Sequence, residues 1–298
     1  MPTDSRNLGA LVKAAPALFV LLWSTGFIAN KYALAHADAM TFVAIRLGLA
    51  AVVMALLAAV LRAGMPRGIE FLHNAVSGFL VHGAYLCGVA VAMATGMPAG
   101  IAALMVGLQP ILTSTLANRL LGERVQLLQW MGLALGLVGV WLVVRGKAAG
   151  DTTLYGWAGI VIALLGITLG TIYQKRFGGG TDFIAAMPVQ YAAAALLAGA
   201  GAFLFEDMRV EHVAAFWVPV AWNVFVLSCG AIVLLYMLIR RAAATRVVSL
   251  FYLTPPTTAV MSYALFGEQL GLWALIGMAL CVAGVLLVNW KAAPPAAT

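Results

Sequence analysis

Charge is what this chain has least of. Of its 298 residues only 9% are Asp, Glu, Lys or Arg, against 64% hydrophobic, and the mean hydropathy is +1.02. A water-soluble domain of this length cannot hide so much apolar side chain. The three cysteines, Cys87, Cys229 and Cys281, are an odd number and all lie inside apolar runs, so no disulfide framework is implied. Every carboxylate falls at the end of an apolar run or between runs, which leaves no buried acid to relay protons. Neither H-E-x-x-H nor G-x-S-x-G occurs. An intramembrane hydrolase would therefore lack both nucleophile and metal site, and we expect no enzyme, no metal and no cofactor. The net charge of +7 does not point to nucleic acid, because the basic residues cluster at the ends of the runs.

What the chain has in abundance is apolar runs. About 20 such residues cross a bilayer as a helix, and the runs predict an all-α, polytopic membrane protein with ten spans. These are Ala14–Leu34, Ala39–Leu61, Phe71–Thr95, Pro98–Leu121, Leu127–Val144, Leu154–Gln174, Phe183–Phe205, Trp217–Ile239, Ala244–Phe266 and Leu270–Trp290. Lys13, the first run and Ala35-His36-Ala37 imitate a cleavable signal peptide. The run is long enough to span, however, and Ile28 and Lys31 have counterparts in Ile172 and Lys175, so we expect it to be retained. With the N-terminus in the cytoplasm, the basic residues of the loops fall mostly inside, with Arg145, Lys147 and Arg209 as exceptions. Both termini are thus expected to be cytoplasmic, in a bacterial inner (plasma) membrane.

The runs are organised by a duplication. Leu108–Glu123, LQPILTSTLANRLLGE, returns 145 positions later as Leu253–Glu268, LTPPTTAVMSYALFGE. Pro110 matches Pro255, Gly122-Glu123 matches Gly267-Glu268, and the register continues without a gap through Gly132 with Gly277 and Gly139 with Gly284. Five spans per half is odd, so the second half starts on the opposite side of the membrane. We therefore expect two inverted-topology five-helix repeats, 1–148 and 149–298, with substrate near the midplane.

Polar side chains at mid-membrane are costly and usually face a cavity or a partner helix. They occur in spans 1, 3, 4, 6, 8 and 9, which we expect to surround a cavity, with spans 2, 5, 7 and 10 outside. The expected substrate wall is Trp23, Tyr85, Met105 and Tyr252, with His82, Gln109, Ser228 and Thr254 orienting polar groups. His82 can be a hydrogen-bonding wall residue, the reading preferred here, or a proton carrier. Arg46 is expected to snorkel to the outer surface, with attraction of a substrate carboxylate as the alternative. Pro110 and Pro255 remove backbone donors at equivalent positions and are read as hinges, against static kinks. The small-residue stripes Gly132, Gly136, Gly139 and Gly277, Cys281, Gly284 are expected to pack helices closely.

The duplicated P-x(11)-G-E followed by Gly-rich spans, with Trp23-Ser24-x-Gly26 and Lys31, resembles the EamA family of the drug/metabolite transporter superfamily. The resemblance covers nearly the whole chain and implies ten helices in two inverted repeats, with helices 1, 3, 4, 6, 8 and 9 around the cavity. Length and aromatic content are most similar to bacterial exporters of aromatic amino acids. The expected function is export of amino acids, aromatic or otherwise neutral, and related metabolites by alternating access. The expected partners are a small-molecule substrate and the lipid bilayer, with the protein acting as a monomer. With only His82 titratable at the midplane, facilitated diffusion is expected. The alternatives are an exporter of drugs or lipophilic cations, and a non-transporting sensor or assembly protein.

Overall fold

A computed structural model of the chain describes residues 4–97, 102, 105–120, 125–145, 152–178, 180–241, 244–266 and 271–290. Among them the regular structure is helical, with a single isolated antiparallel bridge between Ala37 and Val210. In chain order the helices are α1 (Asp4–Ala33), α2 (Ala39–Val60), α3 (Ile69–Ala94), α4 (Gln109–Leu120) and α5 (Leu127–Val144). They continue with α6 (Leu154–Phe177), α7 (Phe183–Phe205), α8 (214–241), α9 (244–266) and α10 (Leu272–Asn289). By length and composition α2, α3, α6, α7, the Ala214–Ala231 part of α8, and α10 can each cross a membrane, and α5 is a shorter apolar helix. Two boundaries differ from the sequence reading: α1 starts at Asp4 because its polar first turns continue the helix beyond the apolar run, and α4 starts at Gln109, after the turn at Gly107-Leu108, where the expected span began at Pro98. Gly122-Glu123 and Gly267-Glu268 lie outside the described residues.

Local chemistry sets where helices begin. The Asp182 carboxylate accepts from Ile184 N at 2.8 Å, and the Thr153 hydroxyl accepts from Gly156 N at 3.3 Å. α2 borrows its cap: Glu206, just past α7, accepts from Met40 N and Thr41 N at 2.7 and 2.8 Å. A carboxylate there also meets the positive end of the helix dipole. Around that cap, Asp38 N donates to Arg209 O and Glu211 N to His36 O. His36 Nδ1 lies 2.7 Å from Glu211 Oε2, which holds the Glu211 carboxyl below its ordinary range.

Two pairs of regular helices pack along their lengths, α2 with α7 and α5 with α10. The α5–α10 pair shows how. A Cβ added at Gly132 would fall 2.7 Å from Gly284 O, and one at Gly277 would fall 2.6 Å from Gly139 O. Between these contacts Cys281 Sγ lies 3.7 Å from Gly136 O. Only hydrogen at these positions lets the backbones come so near, as expected for close-packed membrane helices. The stripes read from the sequence thus face each other.

The irregular backbone is confined to other helices. α3 carries a π segment at Phe79–Ala84 and α8 one at Asn223–Ala231. α9 contains a 3₁₀ turn, Leu250–Leu253, directly before Thr254-Pro255, and the chain turns at Gly107-Leu108 directly before α4. Shifted by 145 positions, Phe79–Ala84 falls within Asn223–Ala231, and Leu250–Leu253 falls on 105–108. Pro110 and Pro255 each stand second in their helical segment, where a missing N–H is tolerated, and not mid-helix as the sequence reading had it.

The packing predicts a contrast. Gly139→Leu should overpack the α5–α10 contact and destabilise the protein by roughly 1–3 kcal/mol or more. Gly199→Leu, on α7 where an added Cβ meets nothing within 4 Å, should leave stability nearly unchanged. Thermal unfolding in detergent checks this; equal midpoints for the two variants would contradict it.

Candidate functional site

The most developed interior site begins on α1. Trp23 is 8% exposed and stands at the centre of an aromatic cluster. Its ring stacks on Tyr85 of α3 (centroids 6.3 Å, interplanar angle 11°) and meets Phe251 of α9 edge-on (5.2 Å, 90°). Phe19, one turn earlier on α1, packs on both Trp23 and Phe251. Aromatic pairs of this geometry add stability beyond buried area, so the wall is well fixed.

Beside the stack is a small cavity of about 30 Å³, room for a water molecule or two, lined by Trp23, Gly26, Phe27, Asn30, Arg46, Tyr85, Leu86, Val89 and Leu227. It draws on α1, α2, α3 and α8, and as it stands it is narrower than a ligand pocket. Beyond Asn30 and Val89 a wider recess of about 870 Å³ opens at the helix ends near Leu34, Thr95 and Glu206. On the other flank of Trp23 a smaller pocket touches Gly107, Phe251, Thr254 and Pro255, the two backbone breaks.

Arg46 is the unexpected member. It does not snorkel: it is 6% exposed, and its Nε donates to Ser228 Oγ at 3.4 Å. Among the described residues no carboxylate lies within ion-pair distance of it. α2 therefore contributes to the cavity, a correction to the expectation that spans 2, 5, 7 and 10 form only an outer layer. Asn30 is 8% exposed, and its Oδ1 has no hydrogen-bond partner among the described residues.

The expected site residues divide. Trp23 and Tyr85 line the cavity, Ser228 holds Arg46 from the π segment of α8, and Thr254 lines the pocket next door. His82, in the π segment of α3, is 1% exposed with its ring 4.8 Å from that of Tyr191 and is not on the cavity wall. Tyr191 donates in turn to Ser228 O. Gln109 donates to Thr171 of α6 at 3.3 Å. Met105 lines a separate, wholly apolar groove with Leu108, Leu137, Val138 and Trp141. The Tyr252 ring lies against Gly136 of α5, and its neighbour Phe251 takes the place expected for it beside Trp23.

Sequence reasoning missed Phe251, Phe19 and Asn30, and it ranked the inward role of Arg46 second. The available signal was charge: Arg46 is a cation well inside an apolar run, and such residues usually face a cavity.

Accessibility should follow this geometry. With Cys87, Cys229 and Cys281 replaced, single cysteines at Asn30, Tyr85 and Leu227 should react with a small polar thiol reagent. Those at Ala50, Ala194 and Tyr252 should stay protected. Equal labelling of the two sets, or preferential labelling at Tyr252, would contradict the cavity described.

Comparison with known proteins gives the site its context. The EamA-like transporter family model matches twice, over residues 14–145 and 154–290. An uncharacterized transporter of Bacillus subtilis (strain 168), YvbV, is 26% identical over 281 residues, 92% of this chain and 90% of its own. A Streptantibioticus cattleyicolor protein named "Probable terminal-alkyne amino-acid exporter" is 26% identical over 275 residues, 91% of each chain. The inner membrane transporter YedA of Escherichia coli (strain K12), also uncharacterized, is 27% identical over 203 residues, 67% of this chain and 65% of its own. A solved crystal structure superposes with TM-score 0.76 over 94% of this chain and 96% of that one, at 19% identity, a likeness of fold alone. Two family matches across an apolar, helical chain leave one conclusion: this is a multi-pass membrane protein that belongs to the EamA-like transporter family.

Proposed function

We infer that the protein exports amino acids, aromatic or otherwise neutral, and similar metabolites by alternating access through the Trp23 cavity. The observation that carries this reading is the Trp23–Tyr85 stack on the wall of a cavity that also holds polar groups. Such a wall suits a small molecule with one flat or apolar end and one polar end. The relative named as an amino-acid exporter, similar over nearly its whole length, supports the same substrate class. The substrate-facing residues of this proposal are Trp23, Tyr85, Ser228 and Thr254, with His82 and Gln109 fixing the shell behind them.

The architecture proposed is ten spans in two inverted repeats, residues 1–148 and 149–298. Three observations support it. The family model matches once in each half. The π segments and the breaks before Pro110 and Pro255 recur at the same 145-residue offset. The α5–α10 contacts exchange partners as a two-fold axis requires: Gly132 meets Gly284, and their counterparts Gly277 and Gly139 meet each other. Gly136 and its own counterpart Cys281 meet near the axis.

Both termini are assigned to the cytoplasm. Arg145, an exception to that rule, has its guanidinium 5.2 Å from the Trp141 ring and 4.4 Å from that of Trp273. A cation held by two indoles fits a membrane-interface aromatic belt on the outer side. The breaks before the prolines are the proposed hinges, because residues at element ends absorb backbone rotation most easily.

Coupling follows from the lining. Among the described residues no carboxylate and no histidine is on the wall of the Trp23 cavity, so that wall offers no group that exchanges a proton at neutral pH. We therefore assign facilitated diffusion. Purified protein in proteoliposomes should equilibrate labelled L-phenylalanine without any imposed ion gradient, and His82→Asn should retain that flux. Accumulation well above the external concentration under a pH gradient, lost in His82→Asn while exchange survives, would overturn the assignment. No amino-acid flux above protein-free vesicles would overturn the substrate class.

A further inference from the structure

Arg46 is the feature that the transport reading leaves unexplained. A guanidinium carries five N–H donors and stays charged, yet here one bond, Nε to Ser228 Oγ, is its only hydrogen bond among the described residues. The rings around it are Tyr85 and Tyr191, and among the described residues no carboxylate lies within ion-pair distance. Removing such a charge from water costs several kcal/mol unless a partner compensates. The residue nevertheless lies nine-tenths buried on the cavity wall, on the helix that packs most closely against α7.

A second buried polar group lines the same cavity with the opposite capacity. Asn30 Oδ1, on α1 two turns beyond Trp23, is an acceptor without a donor among the described residues. The wall thus offers unpaired cationic donors from α2, an unpaired acceptor from α1, and the Trp23–Tyr85 face beside them. A planar carboxylate is the anion that a guanidinium fork holds by two parallel bonds. An ammonium needs acceptors and tolerates no cation in direct contact.

Resting on the amino-acid reading above, we propose that Arg46 and Asn30 form a zwitterion-reading pair. Arg46 takes the α-carboxylate of the substrate, Asn30 Oδ1 accepts from its α-ammonium, and the side chain lies on Trp23 and Tyr85. The specificity that follows is sharp. An amine without the carboxylate leaves Arg46 unpaired and brings a second positive charge near it, so lipophilic cations are rejected. An acid without the ammonium keeps the Arg46 contact and loses only the Asn30 one.

The test uses the intact protein in proteoliposomes with three probes of one shape: L-phenylalanine, phenethylamine and 3-phenylpropanoate. Each competes against labelled L-phenylalanine. Phenethylamine should compete roughly 10- to 100-fold more weakly than L-phenylalanine, the span expected for losing a charged hydrogen-bonding partner. 3-Phenylpropanoate should fall between the two. Asn30→Ala should bring L-phenylalanine and 3-phenylpropanoate to parity. Arg46→Gln should abolish the discrimination against phenethylamine, whatever flux remains. The wild-type ranking needs no variant, so a misfolded Arg46→Gln does not shelter the proposal. Flux of L-phenylalanine with phenethylamine competing equally overturns the pair while leaving amino-acid transport intact. Absence of any L-phenylalanine flux overturns the transport reading beneath it.

Discussion

The backbone of a membrane helix must satisfy its own N–H and C=O groups, because lipid offers no partner. That constraint sorts this molecule. α2, α5, α7 and α10 keep regular helix throughout their described lengths, while the π segments, the 3₁₀ turn and the break at Gly107 belong to α3, α4, α8 and α9. Non-helical backbone at membrane depth survives only where protein or a cavity covers it. Ser228, which holds Arg46, and Tyr85, which ends the first π segment, are placed by those irregularities. π segments of this kind occur frequently at functional sites.

A second constraint acts on charge. The interior holds a guanidinium with one long hydrogen bond and an amide oxygen with none. Buried polar groups left unpaired lose free energy that a ligand can restore, and a ligand acts on the conformational equilibrium only through such differential contacts. A carrier whose cavity is polar but incompletely paired therefore binds its cargo where cargo and wall complete each other. In the proposed transport cycle the aromatic stack supplies area and orientation, and the polar pair supplies selection.

Much of this was legible in the chain itself. The all-helical class and the placement of the long apolar helices followed from apolar runs and short polar breaks. The glycine stripes were legible because only a residue without a side chain permits the Gly132–Gly284 and Gly139–Gly277 approaches. Trp23 and Tyr85 were found because large polar-tipped rings at mid-span need a reason to be there. The failures are local. Periodicity does not reveal a π segment or a 3₁₀ turn, and each rotates the residues that follow it. Within the 3₁₀ turn Phe251 rather than Tyr252 meets Trp23, and Met105, just before the turn at Gly107-Leu108, lines the groove beside α5. Arg46 was misjudged because distance along a helix axis says nothing about which way a long side chain leans.

An experimental structure of the protein with bound L-phenylalanine tests the central claim most directly. The account predicts ligand density in the Trp23 cavity, its ring against Trp23 and Tyr85 and its carboxylate within hydrogen-bond distance of the Arg46 guanidinium. Density in the apolar groove of Met105 and Trp141, or a ligand whose carboxylate avoids Arg46, would contradict it.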